Sequence, residues 1–250
     1  MQPEWIAYNE LAWTEDLLAG PEDCEDEVQF YIDRILSASE KPPVTLLHLG
    51  SGAGNHDTFF KELFKVTGVD ISPGMVDKAR VLHPDIEYVL ADMRTVRLNR
   101  LFDAVAVPDS IDYMATEDDL RQAIRTAAEH LRPGGVLLVA AKPAETFRDN
   151  NFAYVGEKDD VHVTVLENNY INPYRPDTYE ATIAYLIRRK GELTVHTERH
   201  MLGLFPLSVW EKIFLDEGLT MSTTTLSGAY DRYLLNDGEY PITVFSGIKT

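Results

Sequence analysis

Residues 46–56 read LLHLGSGAGNH, and the fold turns on this stretch. An apolar run, Leu46 to Leu49 broken only by His48, meets three glycines at alternate positions, Gly50, Gly52 and Gly54. Such a run bounded by glycine is the pattern of a buried strand. Glycines there let the backbone turn sharply and approach a bound molecule closely, where a side chain would collide with it. The spacing is GxGxG. The dinucleotide fingerprint GxGxxG needs a glycine where this chain has Asn55, which disfavours a nicotinamide oxidoreductase. Alone, GxGxG is also compatible with a plain tight turn.

Downstream, DTFFKELF reads as a helix, KVTGVDI as a strand, and SPGMVDKARVL as a helix with Ser72 as cap and Pro73 in its first turn. IEYVLAD and FDAVAVP are strands. Residues 117–131 form a helix with Leu120, Ile124, Ala127, Ala128 and Leu131 on one face; RPGG stops it, and VLLVAA is the next strand. Upstream, EDCEDEVQFYIDRILS carries Val28, Tyr31, Ile32, Ile35 and Leu36 at helical spacing and ends at Lys41-Pro42-Pro43. Helices alternating with strands that are apolar on both faces imply a doubly wound α/β fold, a parallel sheet covered on both sides.

The alternation breaks at residues 161–204. VHVTVLENNYI, TYEATIAYLIRR and LTVHTERHMLGLF show a period of two, the last two joined by a tight Lys190-Gly191 turn, which predicts an inserted antiparallel sheet. LSVWEKIFLDEG then reads as a helix, with Ser208 and Glu211 spaced as a capping box and Gly218 as its stop. LTMSTTTL and PITVFSGIK are close enough in sequence to pair antiparallel.

Composition narrows the function. The 250 residues carry 23 Lys and Arg against 41 Asp and Glu, a formal charge of −18. That balance repels polyphosphates at long range and argues against nucleic acid as a partner. Residues 1–40 hold eleven acidic side chains and one basic, Arg34, which reads as a solvated acidic helix face ahead of a docking surface. The longest apolar run, VLLVAA, is too short to cross a bilayer, and MQPEWIAYNE lacks the pattern of a signal peptide. One cysteine, Cys24, forms no internal disulfide. A cytoplasmic protein with no membrane partner is expected.

Ligands of a doubly wound sheet bind beyond the carboxyl ends of its strands. Asp70 ends the second strand twenty residues after Gly50, where a carboxylate can accept hydrogen bonds from both hydroxyls of a ribose. Asp92 ends the third strand, where an adenine amino group needs an acceptor. Either aspartate alone reads as a strand-end residue; together with GxGxG they point to a nucleoside cofactor. His196 and His200 lie four apart on one strand face and lack a third ligand, so no metal site is predicted and they read as sheet or substrate-wall residues.

Five segments in order, LLHLGSGAG, VTGVDIS, YVLADM, FDAVAV and LRPGGVLLV, resemble the successive motifs of the class I S-adenosylmethionine-dependent methyltransferases over most of residues 44–141. The resemblance implies a Rossmann-like seven-stranded sheet with an antiparallel last strand, and S-adenosylmethionine as cofactor. It places the glycine loop (Gly50, Ser51, Gly52, Gly54) beneath the methionine part, Asp70 with Ile71 on the ribose, Asp92 with the Met93 backbone at the adenine, and Met75 and Pro108 in the same site. One departure stands out: the family has Asp or Glu where this chain has His48, an acid that helps to hold the methionine ammonium. The loop after the fourth strand brings Asp109, Ser110, Asp112 and Tyr113 to where an acceptor meets the methyl group, and Asp109, Asp112 and Tyr113 are the catalytic candidates. Tyr8 and Trp13 fall where related enzymes place a lid, and Arg232, with Arg175 and Arg199, is a candidate contact for an anionic acceptor.

ADMRTVRLNRLFDAVAV, SIDYM, EHLRPGGVLLV and ETFRD, with the insertion, also resemble sugar-nucleotide aminosugar N,N-dimethyltransferases, which methylate an exposed amine and pair through the inserted sheet. The expected plan is an N-terminal helical lid (1–40), a cofactor-binding core (41–142 and 205–250) and an inserted sheet (143–204) as acceptor wall or homodimer contact. The expected activity is methylation of a small molecule at an amine nitrogen, an amino sugar nucleotide in its sharpest form. Two alternatives stay open: an O-methyltransferase on a small hydroxyl or carboxylate compound, and a non-catalytic cofactor-binding scaffold.

Overall fold

The computed structural model describes residues 5–235 and 238–250. Helices α1 (Glu15–Leu18) and α2 (Glu25–Ala38) precede an alternating run: β1 (Thr45–Leu49), α3 (Asp57–Leu63), β2 (Lys65–Asp70), α4 (Pro73–Leu82), β3 (Glu87–Leu90), β4 (Phe102–Val107), α5 (Glu117–Glu129) and β5 (Leu131–Ala141). Four strands then follow without a helix, β6 (Asn150–Lys158), β7 (Val161–Tyr170), β8 (Thr178–Arg189) and β9 (Glu192–Gly203). The chain closes with α6 (Leu207–Asp216), β10 (Leu219–Leu226) and β11 (Ile242–Lys249). Seven strands form one sheet in the order β10-β11-β5-β4-β1-β2-β3, and β6 to β9 form a second sheet in sequence order. Within the first, β11 is antiparallel to both its neighbours, and the second sheet is antiparallel throughout. The expected fold class is the observed one.

Alternate residues of the central strands feed opposite cores. Leu47, Leu49, Val105, Val107, Leu137 and Val139 pack with α5 and α6. Leu46, Ala104, Ala106, Leu138 and Ala140 pack with α2, α3 and α4. Each fully buried aliphatic side chain contributes about 1.5–3 kcal/mol, so double-faced burial holds β1, β4 and β5 at the centre. Among the described residues no helix is long and apolar enough to cross a membrane.

Three local expectations are corrected. The second sheet has a fourth strand, β6, in which only Phe152 and Tyr154 show the inward alternation before Gly156 interrupts it. At Gly156 an added Cβ would stand 1.9 Å from the Leu17 carbonyl oxygen, so the glycine admits the backbone of α1. RPGG does not lie between α5 and its strand: it belongs to β5, which pairs with Phe102 from Leu131 and shifts register before Val136. The Ser208–Glu211 capping box does not form either. Pro206 occupies the N-cap, and the first helical N–H, of Leu207, donates to the Glu145 carboxylate at 3.0 Å.

Candidate active site

A cavity of about 820 Å³ opens at the carboxyl ends of β1 to β4 beneath the N-terminal segment, with Trp5 and Tyr8 on its roof. Across the sheet its lining runs from Asp92 after β3, through Asp70 at the end of β2 and His48 with the glycine loop at β1, to Pro108 and Asp109 after β4. Ser51, Ile71, Met75, Met93 and Tyr113 also line it. Of the catalytic and cofactor-binding residues assigned from sequence, Gly54 and Asp112 lie outside the lining.

The three glycines do different work. All take positive φ, +73° at Gly50, +54° at Gly52 and +85° at Gly54, a region other residues enter only at a cost. An added Cβ at Gly50 would lie 2.0 Å from Ser110 Oγ, and one at Gly54 would lie 2.8 Å from Tyr88 Oη; at Gly52 it would meet nothing within 4 Å. Gly52 alone leaves open space. The other two make room for the protein's own loop and β3, which corrects the expectation that all three clear the ligand.

Asp70 ties this loop to α4. Its Oδ2 accepts the Gly52 N–H at 2.9 Å and its Oδ1 the Ser72 N–H at 2.8 Å. Ser72 is the N-cap of α4, but its side chain makes no capping bond. Burial pushes the Asp70 carboxyl up, against the pull of these N–H bonds. Asp92 opposes burial more strongly: Arg94 Nε stands 3.0 Å from both its oxygens and Arg94 Nη2 stands 2.6 Å from Oδ2, holding it below its usual range. Arg94 also reaches Asp119 at 2.5 Å.

His48 is 1% exposed. Its Nδ1 lies 2.7 Å from Oδ1 of the fully buried Asp57, whose Oδ2 accepts the Tyr88 hydroxyl at 2.8 Å. Nε2 of His48 and the Ser51 hydroxyl have no protein partner. An acid thus stands at this end of β1 after all, nine residues downstream of the motif position and acting through an imidazole.

Tyr113 sits in the short turn Ile111–Tyr113, and its hydroxyl is 2.5 Å from that of Tyr8 and 2.7 Å from His200 Nδ1. Glu198 Oε2 lies 3.3 Å from His200 Nε2, and the same carboxylate accepts the N–H groups of Ile6 at 3.0 Å and Ala7 at 2.9 Å. Trp5 packs on Tyr113 with ring centroids 4.7 Å apart. One carboxylate of the second sheet therefore pins the N-terminal roof and backs the histidine behind Tyr113. Burial lifts the Tyr113 and Tyr8 phenols well above their ordinary value, so both stay protonated at neutral pH.

Asp112, next in sequence to Tyr113, turns the other way. Its carboxylate lies 2.9 Å from Lys142 Nζ and 3.3 Å from the Tyr179 hydroxyl, and burial pushes it up. Lys142 also holds Asp109 at 2.5 Å. Burial draws the Lys142 ammonium down, but the two carboxylates override it and raise it well above its usual value. Asp112 belongs to a buried ion cluster and not to the reacting surface, because a desolvated carboxylate stays only beside a cation.

Trp13 packs in the second-sheet cluster under the Arg189 guanidinium, 4.5 Å from its ring centroid, and does not line the cavity. Arg232 donates to Asp23 at 2.8 Å and is committed there. Burial pushes the Cys24 thiol up to about 12, which leaves it unreactive. Arg199, a cation the sequence offered for an anionic acceptor, does line the cavity; sequence reading missed Trp5, Glu15, His56 and Met201 on its wall, and Lys142 behind it. None of these stands in a motif; the fold alone brings them in.

The family described as "Methyltransferase domain" matches residues 46–135. The dTDP-3-amino-3,4,6-trideoxy-alpha-D-glucopyranose N,N-dimethyltransferase of Streptomyces venezuelae is 30% identical over 181 residues, 70% of this chain and 75% of that one. The chain belongs to the S-adenosylmethionine-dependent methyltransferases. The dTDP-4-amino-2,3,4,6-tetradeoxy-D-glucose N,N-dimethyltransferase of Saccharopolyspora spinosa is 28% identical over 184 residues, covering 70% and 71% of the two chains. In fold, the methyltransferase matches Streptomyces venezuelae DesVI over 100% of both chains, with a TM-score of 0.80 at 24% identity. It also matches S-adenosylmethionine-bound CalS10, an amino pentose methyltransferase from Micromonospora echinaspora, over 100% of this chain and 99% of that one, with a TM-score of 0.76 at 22% identity. Both matches include the second sheet. The methyltransferase acts on a small molecule, and S-adenosylmethionine is its cofactor.

Proposed function

We propose that the chain methylates the amine nitrogen of an amino sugar carried on a nucleotide. The observation that carries the amine is the hydrogen-bonded chain Tyr8–Tyr113–His200, with the Glu198 carboxylate 3.3 Å beyond the far imidazole nitrogen, which opens into the cavity at Tyr113. The relatives named above act on dTDP-linked amino sugars by their names, which supports the sugar nucleotide. For the diphosphate the chain offers Arg199 on the cavity wall and Arg175, 3.5 Å and 4.0 Å from the shared Glu180. Arg232, tied to Asp23, is no longer the candidate.

The cavity wall suits the cofactor: two buried polar atoms want partners, and Gly52 leaves room. Asp92 and the Met93 backbone would hold the adenine, Asp70 the ribose hydroxyls, and the glycine loop with His48 the methionine end, with Ile71, Met75 and Pro108 as apolar walls. When bound, S-adenosylmethionine supplies a methyl group already activated on positively charged sulfur. The protein is left to align the amine lone pair and exclude water, and alignment alone is worth about 7–11 kcal/mol. Trp5 and Tyr8 close the roof. The Tyr113 oxygen accepts the amine proton as its own proton passes to His200 Nδ1, and Glu198 steadies the imidazolium.

Release of S-adenosylhomocysteine should be measured with nucleotide-linked amino sugars, free amino sugars, phenols and carboxylic acids. Turnover is expected among the amines, fastest for the nucleotide-linked ones; turnover confined to phenols or carboxylates rejects the amine. General-base help is usually worth about 10²–10⁴-fold, and an amine with a free lone pair needs less of it. Tyr113→Phe is accordingly expected to lower kcat about tenfold without changing S-adenosylhomocysteine affinity.

In this reading residues 1–40 form the lid and residues 143–204 the acceptor wall. The outer face of the second sheet exposes Val155, Leu166 and Val195, at 72%, 40% and 57%, an apolar surface suited to a homodimer. Light scattering should report twice the chain mass; a monomer at every accessible concentration removes the dimer.

A further inference from the structure

The inner face of the second sheet carries a carboxylate that no motif describes. Side chains alternate along a strand, so Val163, Val165, Glu167 and Asn169 of β7 share one face. Val163 and Val165 pack there with Ala7 and Leu11 of the N-terminal segment. The antiparallel register sets the neighbours. Asn169 stands opposite Asn150 on one side and Ala181 on the other, and Ala181 stands opposite His200. In the next row, Glu167 stands opposite Phe152 and Ile183, and Ile183 opposite Glu198. Glu167 therefore lies on the face that holds His200 and Glu198 behind Tyr113, two strand spacings or about 10 Å along its row from Glu198.

Its partners are few. Asn169 Nδ2 donates to Glu167 Oε1 at 2.7 Å and to Asn150 Oδ1 at 2.9 Å. With both amide hydrogens spent, Asn169 Oδ1 can only accept, and this oxygen is buried without a partner in a residue 1% exposed. Among the described residues, Glu167 Oε2 has no partner. Cations that could answer it are committed elsewhere, Lys142 to Asp109 and Asp112, Arg175 and Arg199 to Glu180. Burial pushes the Glu167 carboxyl up against the pull of Asn169, and its charge acts in turn on the Tyr113 phenol. A desolvated carboxylate beside an unpartnered amide oxygen costs free energy until a donor meets them, and a cationic donor answers both the lone pairs and the charge. Glu167 is only half-buried, so a ligand can reach it.

We propose that Glu167, oriented by Asn169, receives the amine of the methyl acceptor in its charged form, so that the second sheet selects a cationic acceptor. This rests on the amine reading given above and names the group that recognises the amine. An alkyl amine is an ammonium near neutral pH, a cation with up to three N–H donors. Glu167 Oε2 and Asn169 Oδ1 offer it two acceptors and one negative charge. A hydroxyl brings a single donor and no charge, which leaves one of the two oxygens unmet, and a carboxylate is repelled. Asp109, half-exposed in the cavity lining on the loop after β4, adds charge of the same sign. No bond to carbon forms at Glu167. The ammonium gives one proton to the Tyr113 oxygen as the Tyr113 proton passes to His200, and Glu167 keeps the N–H donors that remain.

The test is steady-state kinetics with a nucleotide-linked amino sugar, alongside inhibition by the same sugar nucleotide bearing a hydroxyl in place of the amine. Glu167→Gln keeps the length of the side chain and an oxygen for Asn169 but removes the charge. It is expected to raise KM for the amine about tenfold or more, with kcat and the inhibition constant of the hydroxyl compound little changed. Glu167→Asp keeps the charge and is expected to recover part of the loss. Unchanged S-adenosylhomocysteine affinity by calorimetry shows that each variant is folded. A KM that stays put in Glu167→Gln, or amine and hydroxyl compound weakened by the same factor, overturns the assignment. Turnover confined to phenols or carboxylates in the unaltered protein overturns the amine reading itself.

Discussion

Replacing Asp70 by alanine is expected to weaken S-adenosylhomocysteine binding by about two decades or more. The carboxylate accepts the N–H groups of Gly52 and Ser72, so it shapes the loop that faces the ligand as well as offering its remaining lone pairs to a ribose. A hydrogen bond to a charged group is worth about 1.5–3 kcal/mol, and 1.4 kcal/mol is a decade, so losing two such bonds to the ribose accounts for the effect. Asp70→Asn keeps one acceptor oxygen and should fall between. Calorimetry that finds the alanine variant as tight as the unaltered protein removes Asp70 from the cofactor site.

Lys142→Met is expected to be the costliest single change to stability, at about 3–5 kcal/mol near neutral pH, the usual consequence of stripping the partner from a buried charge. Asp112 stays buried, and Asp109 loses its only ion pair among the described residues. The loss should grow with pH. Burial already raises the folded Asp112 carboxyl above its ordinary 3.8, and without Lys142 it rises further. A raised folded value stabilises fully below the unfolded one, and that contribution is lost as pH rises through the folded value. The variant should thus unfold close to the unaltered protein near about pH 4 and well below it near about pH 8. Adding Asp112→Asn should recover part of the loss. Scanning calorimetry showing a deficit independent of pH rejects the ion cluster as the cause.

Much of the architecture was legible in the chain because burial on one face or two leaves a local period. The central strands read as apolar runs, α2 and α5 as stripes, and the second sheet as a period of two. β6 escaped because its inward alternation stops after Phe152 and Tyr154, and its partner is chosen by β7. The Ser208–Glu211 spacing failed as a cap because Pro206 already holds the N-cap and the acceptor for the freed N–H comes from Glu145, 62 residues away.

The sequence by itself determined the order of elements other than β6, the parallel sheet with its glycine turn, and the placing of Asp70 and Asp92 at strand ends, since each follows from neighbours a few residues apart. Tertiary structure alone decided what each side chain at the cavity does. Tyr113 and Asp112 are adjacent, yet a tight turn sends successive side chains to different sides: the phenol faces the cavity beside His200, and the carboxylate goes to Lys142, 30 residues on. Likewise, the histidine in place of the usual acid is visible in the sequence, but the carboxylate behind it is not. Asp57 becomes its partner only when α3 packs across β1, because a buried imidazole and a buried carboxylate each lower the other's cost of leaving water.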